Sequence, residues 1–196
     1  MEKKFIQFSL LTFIAFLFTE IALSDDQIPT EVFGSPALIS SVKISPSGEK
    51  IAVYATLKNG DSAILVRDLT KNEPYKSIAT SDNKSLKLLS FNWFDDEIIL
   101  ASAWLAQDLY STKADYTRLL RVNVDGSGFE PLFKKRHFKD LPLRWEEFDQ
   151  TRIIDWLPDD EDNILVQLRM SNARSPDVIK LNVKENSIKT VKKGVA

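Results

Sequence analysis

One pattern occurs three times in this chain, and a repeat that can bury its apolar face only against its neighbours constrains a fold more tightly than any single motif. The copies are residues 42–54 (VKISPSGEKIAVY), 91–100 (FNWFDDEIIL) and 154–166 (IDWLPDDEDNILV). Each opens with apolar–polar–apolar alternation, passes a turn of Pro, Ser, Gly or Asp, and restarts with an apolar run, which is the pattern of a β-hairpin. A second element follows each copy, at 65–69 (LVRDL), 120–124 (LRVNV) and 179–183 (IKLNV), with Asp68, Asn123 and Asn182 at one shared position. Turn residues come next, at 70–73, 125–128 and 184–187, and a short apolar strand closes each unit around 77–79, 130–133 and 188–191.

Four short antiparallel strands recurring every ~40–50 residues mark a β-propeller blade. The recurrence here is slightly longer because of insertions. A β-sandwich also repeats its strands, at about 8–12 residues, but the threefold return of hairpin plus exit strand favours the propeller. The expectation is an all-β fold, a partial β-propeller of about three four-stranded antiparallel blades at about residues 33–80, 86–134 and 150–194. Ile44, Trp93 and Trp156 share one repeat position and are expected in the core between blades, so that Trp156→Ala would cost about 3–5 kcal/mol. The stretch from Tyr110 to Tyr116 reads as an exposed loop, and residues 143–148 as one short helical turn.

Closed propellers have typically 4–8 blades, so about three leave an open ring with an unpaired edge. Because the chain stops straight after a strand, it is expected to be the start of something longer or to close with other chains. The exposed edge near residues 185–191 would make the isolated chain prone to aggregate.

Met1-Glu2-Lys3-Lys4 begins the chain with two lysines, an apolar run follows at 10–18, and Ala22-Leu23-Ser24 supplies small residues before Asp25-Asp26. A charged start, an apolar core and a small-x-small end describe a secretory signal peptide. Glu20 makes the apolar run short for a membrane anchor, which needs about 20 apolar residues. The expected organisation is a signal peptide at 1–24, cleaved after Ser24, then the partial β-propeller at 25–196, in the periplasm or secreted, with no stable membrane span after cleavage.

Charge and composition exclude several chemistries. Lys and Arg number 26 against 28 Asp and Glu, with no dominant basic block, so no footprint for nucleic acid is present. The absence of cysteine removes disulfides, thiolate metal sites and cysteine nucleophiles. His137 is the single histidine, which excludes a multi-histidine metal centre. It lies in the basic cluster 134–139 (KKRHFK), which could hold an acidic partner and reads more simply as a solvated loop. The acidic run 159–163 (DDEDN) lacks the D-x-[DN]-x-[DN]-G spacing of a calcium loop and occupies the hairpin-turn position, where Asp and Asn serve the backbone. Trp104 and Trp145, outside the repeated positions, are candidates for a surface contact. Asn83-Lys84-Ser85 fits an N-glycosylation acceptor, whose use a bacterial-type signal makes improbable. No phosphate-cradling or dinucleotide Gly-rich turn and no paired-carboxylate motif stands out. No catalytic, cofactor-binding or metal-ligating residue is expected on this chain, and no cofactor.

Residues 44–52 (ISPSGEKIA) resemble the SPDG-x-x-IA hairpin of TolB-type, WD40-like propeller repeats. Residues 91–97 (FNWFDDE) with 121–128 (RVNVDGSG) are similar to the N-terminal propeller of bacterial prolyl oligopeptidase-family serine peptidases, the acylaminoacyl-peptidase and dipeptidyl-peptidase-like branch. The resemblance covers about residues 33–194. It implies a propeller that caps an α/β-hydrolase domain and admits short peptides by size, with a Ser/Asp/His triad in the hydrolase domain. No counterpart of that domain is expected within these 196 residues: they contain no G-x-S-x-G elbow, and His137 alone cannot complete a triad. Two functions stay open. One is the substrate-gating portion of a secreted serine peptidase, meeting a peptide substrate and the missing hydrolase domain. The other is a non-enzymatic periplasmic TolB-like module that binds protein partners.

Overall fold

The computed structural model of the chain describes residues 37–109, 112–138, 149–170 and 174–195. The segment 1–24 read as a signal peptide, Trp145 and the helical turn expected at 143–148 lie outside them. The described chain folds into three separate four-stranded sheets, each a meander of consecutive antiparallel strands. The first holds β1 (Ile39–Ile44), β2 (Lys50–Thr56), β3 (Ser62–Asp68) and β4 (Lys76–Ser81). The second holds β5 (Leu86–Trp93), β6 (Ile98–Leu109), β7 (Thr112–Asn123) and β8 (Glu130–Pro131), and the third β9 (Ile153–Asp155), β10 (Asn163–Leu168), β11 (Asp177–Asn182) and β12 (Ser187–Lys192). This is the all-β architecture of a partial propeller with three blades.

Strand alternation explains why the blades stack. Along β6, Ile99, Ala101 and Ala103 belong to one apolar cluster, with Ala52, Ile64, Val66 and Ile78 of the first blade. Their neighbours Ile98 and Leu100 belong to a second cluster, with Ile164, Val166, Ile179 and Leu181 of the third. A period of two along the strand thus feeds both junctions from one central blade. Phe91 and Leu88 on β5 are each 1% exposed, and a fully buried side chain of this size contributes about 1.5–3 kcal/mol.

The recurrent Asp/Asn at the end of the third strand has a local cause. Asp68 Oδ1 accepts the Thr70 N–H at 2.9 Å, Asn182 Oδ1 accepts the Glu185 N–H at 2.7 Å, and Asn123 Nδ2 donates to Ser127 Oγ at 2.9 Å. Each side chain ties down the turn into the outer strand.

Two expectations need correction. Of the stretch from Tyr110 to Tyr116 expected as an exposed loop, Tyr110 and Ser111 lie outside the described residues, and residues 112–116 belong to β7 instead: β6 and β7 pair from Ile98↔Asn123 out to Leu109↔Thr112, and Tyr116 is 7% exposed. An uninterrupted cross-strand register satisfies backbone groups that a loop would leave to water. The shared repeat position is not uniformly core either. Trp93 is half-buried and packs on the first junction, whereas Ile44 is 61% and Trp156 38% exposed. Ile44 pairs with Ile51, on the sheet face turned away from the second blade. In the third blade β9 stops at Asp155, whose Oδ1 accepts the Leu157 N–H at 2.8 Å while Leu157 takes a φ of 48°. The chain therefore turns before Trp156 can enter the sheet.

Candidate functional site

The inner hairpin turns of all three blades meet at one end of the molecule. In the first, the Ser45 N–H donates to the Lys50 carbonyl at 2.9 Å, and the Ser45 hydroxyl oxygen accepts the Lys50 N–H at 3.1 Å. In the second, Asp95 Oδ1 accepts the N–H groups of Glu97 and Ile98 at 2.8 and 2.7 Å. The two turns are cross-linked. Ser47 N–H donates to Asp96 Oδ1 at 3.0 Å, Lys50 Nζ donates to the Asp96 carbonyl at 2.9 Å, and Lys50 pairs with Glu97.

A cleft of about 420 Å³ opens between these turns and that of the third blade. Pro46, Phe94, Trp156 and Pro158 form its apolar walls, while Asp95, Asp96, Asp160 and Glu161 line it with carboxylates and Lys184 with one ammonium. Here the acidic run acts as turn and ion-pair chemistry: Lys180 pairs with Asp160 at 2.5 Å, Lys184 with Asp162 at 2.8 Å, and Asp160 Oδ1 accepts from Asn163 at 2.7 Å. The Lys180 hydrogen bond, then that of Asn163, holds the Asp160 pKa below the ordinary carboxylate range, and the Ser47 N–H does the same for Asp96. No Ser, Thr, Cys or His lines the cleft. The cleft thus combines apolar walls with carboxylates, of which Asp96 and Asp160 are held ionised by their hydrogen bonds.

His137 stands on a short 3-10 turn, Lys135–Phe138, at the junction of the second and third blades. Its Nε2 lies 3.2 Å from the Asn186 carbonyl, to which Arg136 Nη2 also donates at 2.8 Å. The basic cluster is thus partly a clasp on the β11–β12 turn. Burial, then the charge of Arg136, lowers the His137 pKa. Trp104 is a half-buried member of β6. Asn83, at a φ of 56°, spends its amide on the Gly60 carbonyl and Ser62 Oγ, both at 2.9 Å.

Sequence reasoning missed the turn-end cleft and the Ser47–Asp96–Lys50 link. The signal was present: Pro46, Asp95–Asp96 and Leu157–Pro158 share one register in the repeat, so stacking blades must gather them.

No protein-family model and no curated protein matches the chain. Among solved structures it is similar to the acylaminoacyl peptidase of Pyrococcus horikoshii, with a TM-score of 0.52 and 15% identity, over 81% of this chain and 26% of that one. A puromycin-hydrolyzing peptidase of Mycobacterium tuberculosis gives 0.42 and 9% over 83% of this chain and 30% of that one. A putative TolB of Agrobacterium tumefaciens gives 0.25 and 13% over 80% and 67%. At these identities the likeness is one of fold, and the chain spans about a quarter of the Pyrococcus enzyme's length.

Proposed function

We propose that this chain is the leading, non-catalytic propeller portion of a secreted serine peptidase of the prolyl oligopeptidase type, and that it helps admit short peptides to a hydrolase domain supplied elsewhere. The carrying observation is the match of 81% of this chain to 26% of an acylaminoacyl peptidase, at a TM-score of 0.52. Support comes also from the FNWFDDE and RVNVDGSG stretches, which fall on the inner hairpin and exit strand of the central blade. The turn-end cleft, lined by aromatic rings and carboxylates, would offer such peptides a surface without chemistry of its own. The N-terminal segment would direct the protein to the periplasm or beyond.

An immunoblot of the native protein in its own cells tests the reading. A band several times heavier than 22.3 kDa, with a hydrolase-coding segment in frame, is the expected result. A band at or below 22.3 kDa would overturn it and leave a binding module.

A further inference from the structure

The inner strands of the first two blades frame a second pocket, of about 330 Å³, away from the turn-end cleft. Its polar lining consists of Ser40, Ser41, Ser90, Tyr54, Lys43 and Lys87, with no carboxylate among them. Hydroxyl and ammonium groups can all donate, and ammonium can do nothing else. The Tyr54 hydroxyl is spent on the Leu88 carbonyl at 2.9 Å, and Lys43 reaches Asn92 while lying 5.7 Å from the Phe91 ring centroid. Lys87 and the hydroxyls of Ser40, Ser41 and Ser90 have no partner among the described residues.

The pocket is also shaped by the backbone. The register of β1 slips between Ile39 and Ser41, and that of β5 between Leu88 and Ser90. The residues left out of register, Ser40 and Leu89, both line the pocket. A bulge costs ladder regularity and re-aims a side chain; here two bulges bring a hydroxyl and an apolar side chain to one concavity. Leu88 and Phe91 give it a buried apolar lining, and Leu89 is 49% exposed.

Two ammonium groups, serine hydroxyls able to donate and an apolar surface complement an organic carboxylate, whose two oxygens only accept. We propose that this pocket binds the C-terminal carboxylate of a short peptide, the last side chain lying against Leu88, Leu89 and Phe91 and the carboxylate meeting Lys87, Lys43 and the serine hydroxyls. The proposal goes beyond the peptidase reading, because it uses the first two blades alone and needs no hydrolase domain.

Calorimetric titration of the full chain with N-acetyl-Ala-Leu, as the free acid and as its C-terminal amide, tests it. The acid binds and the amide binds at least ~10-fold more weakly, since one charge-assisted bond is worth about that factor. Lys87→Gln, at an exposed and unpartnered position, lowers the acid's affinity about tenfold and leaves the thermal midpoint unchanged. Absence of acid binding, equal binding of acid and amide, or an indifferent Lys87→Gln would each overturn the proposal. Inorganic phosphate competing as well as the acid would overturn it too, by showing that the apolar contact plays no part.

Discussion

Phe91 and Trp156 are both aromatic residues of the repeated hairpin, yet they have opposite fates, and substitution should tell them apart. Phe91, 1% exposed at the first junction, should lose about 3–5 kcal/mol as Phe91→Ala. Trp156, 38% exposed on the cleft, should lose about 1 kcal/mol as Trp156→Ala, because much of its ring already faces water. Chemical denaturation of the pair checks both, and equal losses would contradict the assignment. The alternation that placed Phe91, Ile99 and Val122 inside was legible from sequence. The exposure of Trp156 was not, because it follows from where β9 stops, where the Asp155 carboxylate accepts the Leu157 N–H. At His137, burial and Arg136 favour the neutral ring, with the Asn186 carbonyl pulling the other way. The folded pKa lies below the unfolded 6.5. The unfolded chain therefore binds the proton first, and stability present above about pH 6.5 is lost as the pH falls toward the native-state value. NMR titration should place the His137 midpoint below 6.5, and His137→Phe should flatten the stability profile across that window.

Turns decide the behaviour of the individual strands. Gly48 sits at a φ of 80° in the first inner hairpin, with open space where a Cβ would stand. Gly48→Ala should then cost about 1–2 kcal/mol from backbone strain alone, measured by thermal or urea unfolding, and Gly48→Asn should cost less because Asn tolerates that region. Asp68, closing β3 onto its turn, is held near a pKa of about 2 by the Thr70 hydroxyl, then by Lys71. A depressed carboxylate supports the fold above its unfolded value, near 3.8, and ceases to as the pH falls through about 2. Carboxyl NMR of Asp68 should show no titration until that range. Such turns were readable from Asp, Asn and Gly in the repeat. The length of β6 and β7 was not, since residues 112–116 carry polar side chains that suit a loop or a long hairpin equally, and only their register with residues 105–109 distinguishes the two.

For the molecule as a whole, the two end blades differ in what they expose. The first presents Ile39, Val42 and Ile44 at 57%, 53% and 61% exposure on the face away from the second blade. The outer strand of the third carries Lys189 and Lys192, charges of the kind that discourage strand addition at an edge. Self-association of the isolated chain should therefore arise from the apolar face of the first blade more than from the edge of the third. Val42→Lys should lower concentration-dependent light scattering, while Lys189→Thr should change it little; the reverse order would locate the contact at β12. Part of this was legible, for the alternation of Val42 and Ile44 with Lys43 is plain in the sequence, but which face a neighbour covers is a property of stacking. The double-sided central blade has a further consequence. With no sheet shared between blades, the chain is a row of units coupled only to nearest neighbours, so its cooperativity is that of a short one-dimensional array. Damage to the third blade removes one coupling and lets that end fray by itself, whereas damage to the second severs both. Hydrogen exchange should then report the array from its ends inward, and the amides of β6 and β7 should be the last to open.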